Sequence, residues 1–168
     1  IEATREAFGG LHILVNAMSA DKRAPLLTLD EYDWRRVLEI TLTGAFFCTQ
    51  LAGRVMADEG GGVIVNVAST LGLAGLGEEA SPLVASHSGL IGLTRQAARE
   101  LAGHGVRVNT ICMSPAASAP EHNAIPFLLA SRTGQHDGVA NAILYLCSDG
   151  AALITGHTLV VDGGGSLL

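Results

Sequence analysis

The chain reads as an α/β protein, a parallel sheet with helices on both faces. Two observations lead there. Short apolar runs alternate four times with stretches of helical periodicity between His12 and Val161, and such alternation calls for right-handed crossovers between parallel strands. One run, Val63 to Ala68, is apolar on both faces, as a central parallel strand should be. Composition agrees. Hydrophobic residues make up 48% and charged residues 15%, which excludes a disordered chain, and the 21 glycines suit helices pressed onto a sheet. A length of 168 residues allows one domain with a full core, so residues 1–168 are read as a single domain.

Residues 1–8 have the pattern of the end of an amphipathic helix, stopped by Gly9-Gly10 at a left-handed cap. His12 to Met18 is the first strand, and Asp21 to Leu27 is a polar loop. Thr28-Leu29-Asp30-Glu31 has the form of a capping box, with Thr28 as the cap and Glu31 reaching back. The helix it opens extends to about Ala57, with Val37, Leu42, Ala45, Thr49, Ala52 and Met56 near helical spacing. Gly60-Gly61-Gly62 ends it, and Val63 to Ala68 follows as the second strand.

Ser81 is the expected cap of the next helix, with Pro82 at its first position, where a missing N–H costs nothing. That helix ends at Gly103 or Gly105, and Arg107 to Met113 is the third strand. Ser114 to Gln135 contains three prolines and is read as an irregular segment folding over the strand ends. Asp137 or Gly138 to Cys147 is a helix, and Thr158 to Val161 is the last strand, closed by Asp162-Gly163-Gly164-Gly165. The first strand is apolar on both sides yet belongs at an edge, where a bare surface invites pairing. A segment preceding Ile1, or a partner, is expected to cover it.

The net charge of -6 without a Lys/Arg cluster argues against a nucleic-acid surface. No apolar run approaches the ~20 residues of a membrane span. Cys48, Cys112 and Cys147 are widely separated in apolar surroundings, which reads as buried reduced thiols in a cytoplasmic protein. His12, His87, His104, His122, His136 and His157 show no ligand spacing, so no metal site is expected. Tyr145 is read as packing and Tyr32 as surface.

Five stretches carry a family resemblance: ILVNAMS (13–19), VLEITLTGAFFCTQ (37–50), VIVNVAS (63–69), GLIGLTRQAARELAGHGVRVNTI (89–111) and ITGHTLVVDGG (154–164). Through them, nearly the whole chain resembles the C-terminal part of a short-chain dehydrogenase/reductase, in the branch that includes 3-oxoacyl-carrier-protein reductases. The resemblance implies a Rossmann-like sheet. It also implies an N-terminal βαβαβ portion ahead of Ile1, holding the glycine-rich turn for the cofactor pyrophosphate.

In that family a tyrosine protonates the carbonyl oxygen. A lysine one turn later lowers its pKa and holds the nicotinamide ribose, a serine binds the substrate oxygen, and an asparagine orders a relay water. The matching positions here are Leu83, His87, Ser69 and Thr41. Ser69 alone is kept. Leu83 has no proton to give, and His87 is at best partly charged near neutral pH. The family's Asn-Asn-Ala-Gly is Asn16-Ala17-Met18-Ser19, its Pro-Gly is Met113-Ser114, and a nicotinamide-side threonine falls near Ser118. Asn16, His87 and Ser118 are therefore the candidate cofactor contacts.

Ser69 and His87 as a hydrolase pair would need an orienting acid; the nearest are Glu78 and Glu79, and no GxSxG elbow is present. Three readings remain. The first is a non-catalytic family member acting as a structural or regulatory subunit beside an active homologue, in a homo- or hetero-oligomer through helices 29–57 and 82–103, with no tightly bound cofactor. The second is an oxidoreductase on a ketone or secondary alcohol whose NAD- or NADP-binding half lies outside this chain. The third is a decayed fragment, aggregation-prone through its first strand.

Overall fold

The structure is a computed structural model and describes residues 1–74, 78–114 and 135–167. A short helix α1 (Glu2–Phe8) ends on Gly9 at φ 78°, the left-handed stop expected there. Strand β1 (Ile13–Asn16) follows, shorter than the apolar run that encodes it. Helices α2 (Glu31–Leu38) and α3 (Gly44–Asp58) form one rod joined through a π turn, Glu39–Thr43. The cap of α2 is Asp30, whose carboxylate accepts the Asp33 amide at 2.7 Å. Thr28, expected to cap, instead donates its hydroxyl to the Pro25 carbonyl at 3.3 Å.

Strand β2 (Gly62–Ser69) leads into the short helix α4 (Leu71–Ala74). Helix α5 (Ser81–Leu101) carries Pro82 in its first turn, but Ala80 is its cap and no side chain closes it. Ser81, expected as the cap, is already helical. Strand β3 (Val106–Met113), helix α6 (Gln135–Cys147) and strand β4 (Thr158–Val161) complete the order. Ser114 to Gln135, read as an irregular segment, lies almost wholly outside the described residues.

The four strands are parallel in the order β1-β2-β3-β4, so each crossover moves one strand along. Ile64, Val106 and Val108 face Ala52 and Met56 of α3 and Ala97 and Ala98 of α5. Val63, Val65 and Ile111 face Val139 and Leu146 of α6 on the other side. Both faces of β2 and β3 are thus buried, which is why their sequences do not alternate. Strand β1 is different. Its Leu14 packs under α3, whereas Ile13 and Val15 point to the opposite face and are 49% and 39% exposed, since α6 lies over β2, β3 and β4.

Tight approach explains Gly61 between α3 and β2. Gly61 has φ 122°, and a Cβ there would lie 2.7 Å from the Gly105 carbonyl oxygen, so only glycine fits. Two surface expectations are corrected. Cys48 is exposed while Cys112 is buried, its thiol pushed by burial up to about 12. Tyr145 is 48% exposed rather than packed, because it lies on the side of α6 away from the sheet cluster of Leu146 and Ile143. Among the described residues no helix is long and apolar enough to cross a membrane.

A polar row crosses the sheet beneath α3 and α5. Asn16, Asn66, Thr110 and Thr158 are successive register partners. Asn16 Nδ2 donates to Asn66 Oδ1 at 2.8 Å and to Thr49 Oγ1 at 3.2 Å. Asn66 Nδ2 donates to Thr94 Oγ1 at 2.8 Å, and that hydroxyl donates to the Leu90 carbonyl at 2.9 Å. Thr110 and Thr158 break the pattern, with buried hydroxyls that meet no partner among the described residues. A buried hydroxyl without a partner carries its desolvation cost uncompensated. Thr110→Val, of matching shape, is therefore expected to raise stability by about 1 kcal/mol, read as a higher urea midpoint at unchanged slope.

Candidate active-site cleft

The site lies at the carboxyl ends of the parallel strands, where loops rather than strands carry the polar groups. Strand β2 ends in Ser69, register partner of Met113. The Thr70 amide then donates back to the Met113 carbonyl at 2.9 Å. The Ser69 Oγ accepts the Leu71 amide at 3.2 Å, so the serine caps the turn into α4 and keeps its own proton free to donate. Helix α5 delivers Leu83 and His87 to the same place, one turn apart on one face. Both are buried, at 3% and 4% exposure.

The turn lies directly on α5. A Cβ on Gly72 would be 2.7 Å from the His87 carbonyl carbon, 2.8 Å from its Cβ and 2.9 Å from the Ser88 nitrogen. Ser88 Oγ donates to the Gly72 carbonyl at 2.8 Å. His87 makes the second attachment, its Nδ1 facing the Ser69 amide at 3.3 Å. An amide is a donor, so Nδ1 must be the unprotonated nitrogen and Nε2 carries the hydrogen. Nε2 lies 3.5 Å from Ser19 Oγ. Burial pushes the pKa of this imidazole down, against a smaller upward pull from Asp21, so the ring is neutral at pH 7.

Ser69, Leu83 and His87 share a cavity of about 190 Å³. The loop after β1 contributes Ser19, Asp21 and Arg23, α4 contributes Leu71, and the end of β3 contributes Met113 and Ser114. Arg23 Nε donates to Asp21 Oδ1 at 3.2 Å, an ion pair within the lining. Three of the sequence candidates thus meet. Thr41 does not line the cavity. It is fully buried in the π turn, and its Oγ1 accepts the Ala20 amide at 3.3 Å, which pins the loop bearing Ser19 and Asp21. A π turn inside a helix often marks such a positioning role. Asn16 also stands off the cavity, its amide directed at Thr49 and Asn66. Ser118 lies outside the described residues.

The geometry limits the chemistry. Ser69 can donate to an oxygen in the cavity, but Leu83 offers only a hydrocarbon wall. The accepting nitrogen of His87 is turned to the Ser69 amide rather than to its hydroxyl, so the pair is not arranged as nucleophile and base. Sequence reasoning missed Asp21, Arg23 and Gly72. Gly72 had a signal, a glycine three residues after the serine, but its reason is the surface of α5, which is distant in sequence.

A family model described as Enoyl-(Acyl carrier protein) reductase matches residues 1–166. The chain is 37% identical to D-threitol dehydrogenase of Mycolicibacterium smegmatis, covering 97% of this chain and 66% of that protein. It is 35% identical to a 3-oxoacyl-[acyl-carrier-protein] reductase of Synechocystis sp., covering 98% and 68%. The crystal structure of acetoin dehydrogenase from Enterobacter cloacae superposes with a TM-score of 0.85 at 33% identity, covering 99% and 68%. The chain therefore spans about two thirds of the length of these relatives. With the sheet order, the serine at the end of β2 and matches over almost every residue, this chain belongs to the short-chain dehydrogenase/reductase family.

Proposed function

We propose that this chain is a non-catalytic member of its family that works as a structural or regulatory subunit beside an active homologue. The observation that carries this reading is Leu83, buried in the cavity wall where a proton donor is required. Reduction of a ketone needs a proton at the carbonyl oxygen. Among the described residues, neither a phenol nor an ammonium group is in the lining, and the neutral His87 is held by the Ser69 amide.

The described residues do not fit a nicotinamide cofactor. The Asn16 amide is committed to Thr49 and Asn66 and His87 Nδ1 to Ser69. Tight binding of NAD or NADP by these residues is therefore not expected.

A helix face supports the subunit role. Phe46, Phe47 and Leu51 of α3 are exposed, beside a groove of about 380 Å³ between α3 and α5 floored by Gly53, Ala97 and Leu101. Apolar side chains around a groove favour a partner helix, so a homo- or hetero-oligomer through α3 and α5 is the expected assembly. Its compartment is the cytoplasm, where the three cysteines would stay reduced.

The test is calorimetric titration with NAD(H) and NADP(H), ketone-reduction assays, and light scattering of the chain alone and co-expressed with a family homologue. We expect no binding heat, no nicotinamide oxidation, and a mass above that of the monomer that Phe47→Glu returns to monomeric. Nicotinamide-dependent ketone reduction that disappears in Ser69→Ala would overturn this reading in favour of an oxidoreductase.

A further inference from the structure

We propose that His87 is a protonation-controlled clamp: the neutral imidazole holds the turn after Ser69 closed on α5, and the imidazolium releases it. The turn is fixed to α5 by two adjacent residues, through His87 Nδ1 on the Ser69 amide at 3.3 Å and Ser88 Oγ on the Gly72 carbonyl at 2.8 Å. Only the first attachment can titrate. An imidazolium carries N–H at both nitrogens, so its Nδ1 would present a hydrogen to the hydrogen of the Ser69 amide. Ser69 is itself buried, and a buried amide that loses its acceptor carries a desolvation cost. Either the ring turns into the cavity or the turn lifts away. Since Leu71 on the turn is part of the cavity lining, release changes the shape of the cleft.

The surroundings favour this behaviour. Of the charged side chains in the cavity lining, Asp21 and Arg23 both come from the loop after β1 and are paired with each other. β2, α4 and the end of β3 line the same cavity with Ser69, Leu71, Met113 and Ser114, and α2 with its π turn brings Val37 and Thr41 to this side; none of these is charged. Among the described residues of the lining, Asp21 is thus the one carboxylate favouring the imidazolium, and it is partly neutralised by Arg23. Burial outweighs it and lowers the pKa of His87. The folded chain therefore binds this proton less readily than the unfolded chain. Stability is complete above the ordinary histidine value of about 6.5 and declines as pH falls below it towards the folded value. A lysine here, as the family resemblance would have it, is a cation throughout that range and accepts no hydrogen bond.

The experiment is ¹⁵N NMR on the full 168-residue chain from about pH 7.5 to about pH 5. At the upper end the His87 ring should show a protonated Nε2 and a bare, hydrogen-bonded Nδ1. As the ring titrates, protection of the Ser69 amide against hydrogen exchange should fall by roughly tenfold or more, while Val108 in the core of β3 keeps its protection. His87→Asn, whose side-chain oxygen can accept the same amide without titrating, should hold Ser69 protection flat. A proton on Nδ1 in the neutral ring overturns the proposal, as does Ser69 protection that ignores the titration. Equal loss at Val108 also overturns it, since that reports global unfolding. If His87→Asn fails to fold, the tautomer and the two wild-type amides decide alone.

Discussion

Gly72→Ala is expected to destabilise the protein by about 3 kcal/mol, near the upper end of overpacking costs. The size follows from what the added methyl would meet. Its three nearest neighbours are the His87 carbonyl carbon, the His87 Cβ and the Ser88 nitrogen, all under 3 Å. These are atoms of a 21-residue helix, not the end of a side chain that could swing aside. The turn after Ser69 must lift off α5, which takes the Ser69 amide from His87 and the Gly72 carbonyl from Ser88. Urea denaturation gives the stability loss, and the Ser69 amide shift locates it. A loss below about 0.5 kcal/mol, within the range of ordinary surface substitutions, would show that the turn yields freely and is not clamped.

Asn66→Ala should cost a similar amount, about 3 kcal/mol, by a different route. Asn66 is fully buried and links β1 to α5, accepting from Asn16 and donating to Thr94. Alanine leaves a void and removes both bonds; cavity and unpaired amide each contribute. The Asn16 amide keeps Thr49, so the loss is partial. The check is thermal or urea unfolding of Asn66→Ala beside Asn16→Ala and the double variant. Because the two amides share one hydrogen bond, their effects should not add. Strict additivity would show that the row does not act as a unit.

Much of the fold was legible from local pattern. The buried strands β2 and β3 stand within a residue of their expected limits, and β4 covers the run from Thr158 to Val161. Their apolar runs are long and bounded by glycine. The helix caps were less legible. Asp30 and Thr28 are both good caps by type, and in the structure Asp30 takes the Asp33 amide while Thr28 turns to the Pro25 carbonyl. Ser81 lost its expected role because helix α5 starts one residue earlier than its side chain would have set it.

In the site, the spacing of Leu83 and His87 and the place of Ser69 were readable because a helix turn and a strand end are local facts. The absence of a phenol at position 83 is equally a property of the sequence. What His87 does was not readable. A histidine can donate, accept or carry charge, and the choice belongs to whatever faces each nitrogen. Here that is an amide 18 residues away and a hydroxyl 68 residues away. Thr41 likewise has a role only through Ala20, and Asn16 only through Thr49 and Asn66. The exposure of Cys48 and Tyr145 depends on which helix face turns to the sheet.

By itself, then, the sequence determined the strand order's raw material, the helices between, the family and the loss of the tyrosine, because periodicity and residue identity are written along the chain. The tertiary structure alone decided the tautomer of His87, the clamp on the turn after Ser69 and the polar row from Asn16 to Thr158. Each of those is a hydrogen bond or a register pair between elements far apart in sequence, and the energy of a hydrogen bond depends on contact and direction rather than on composition.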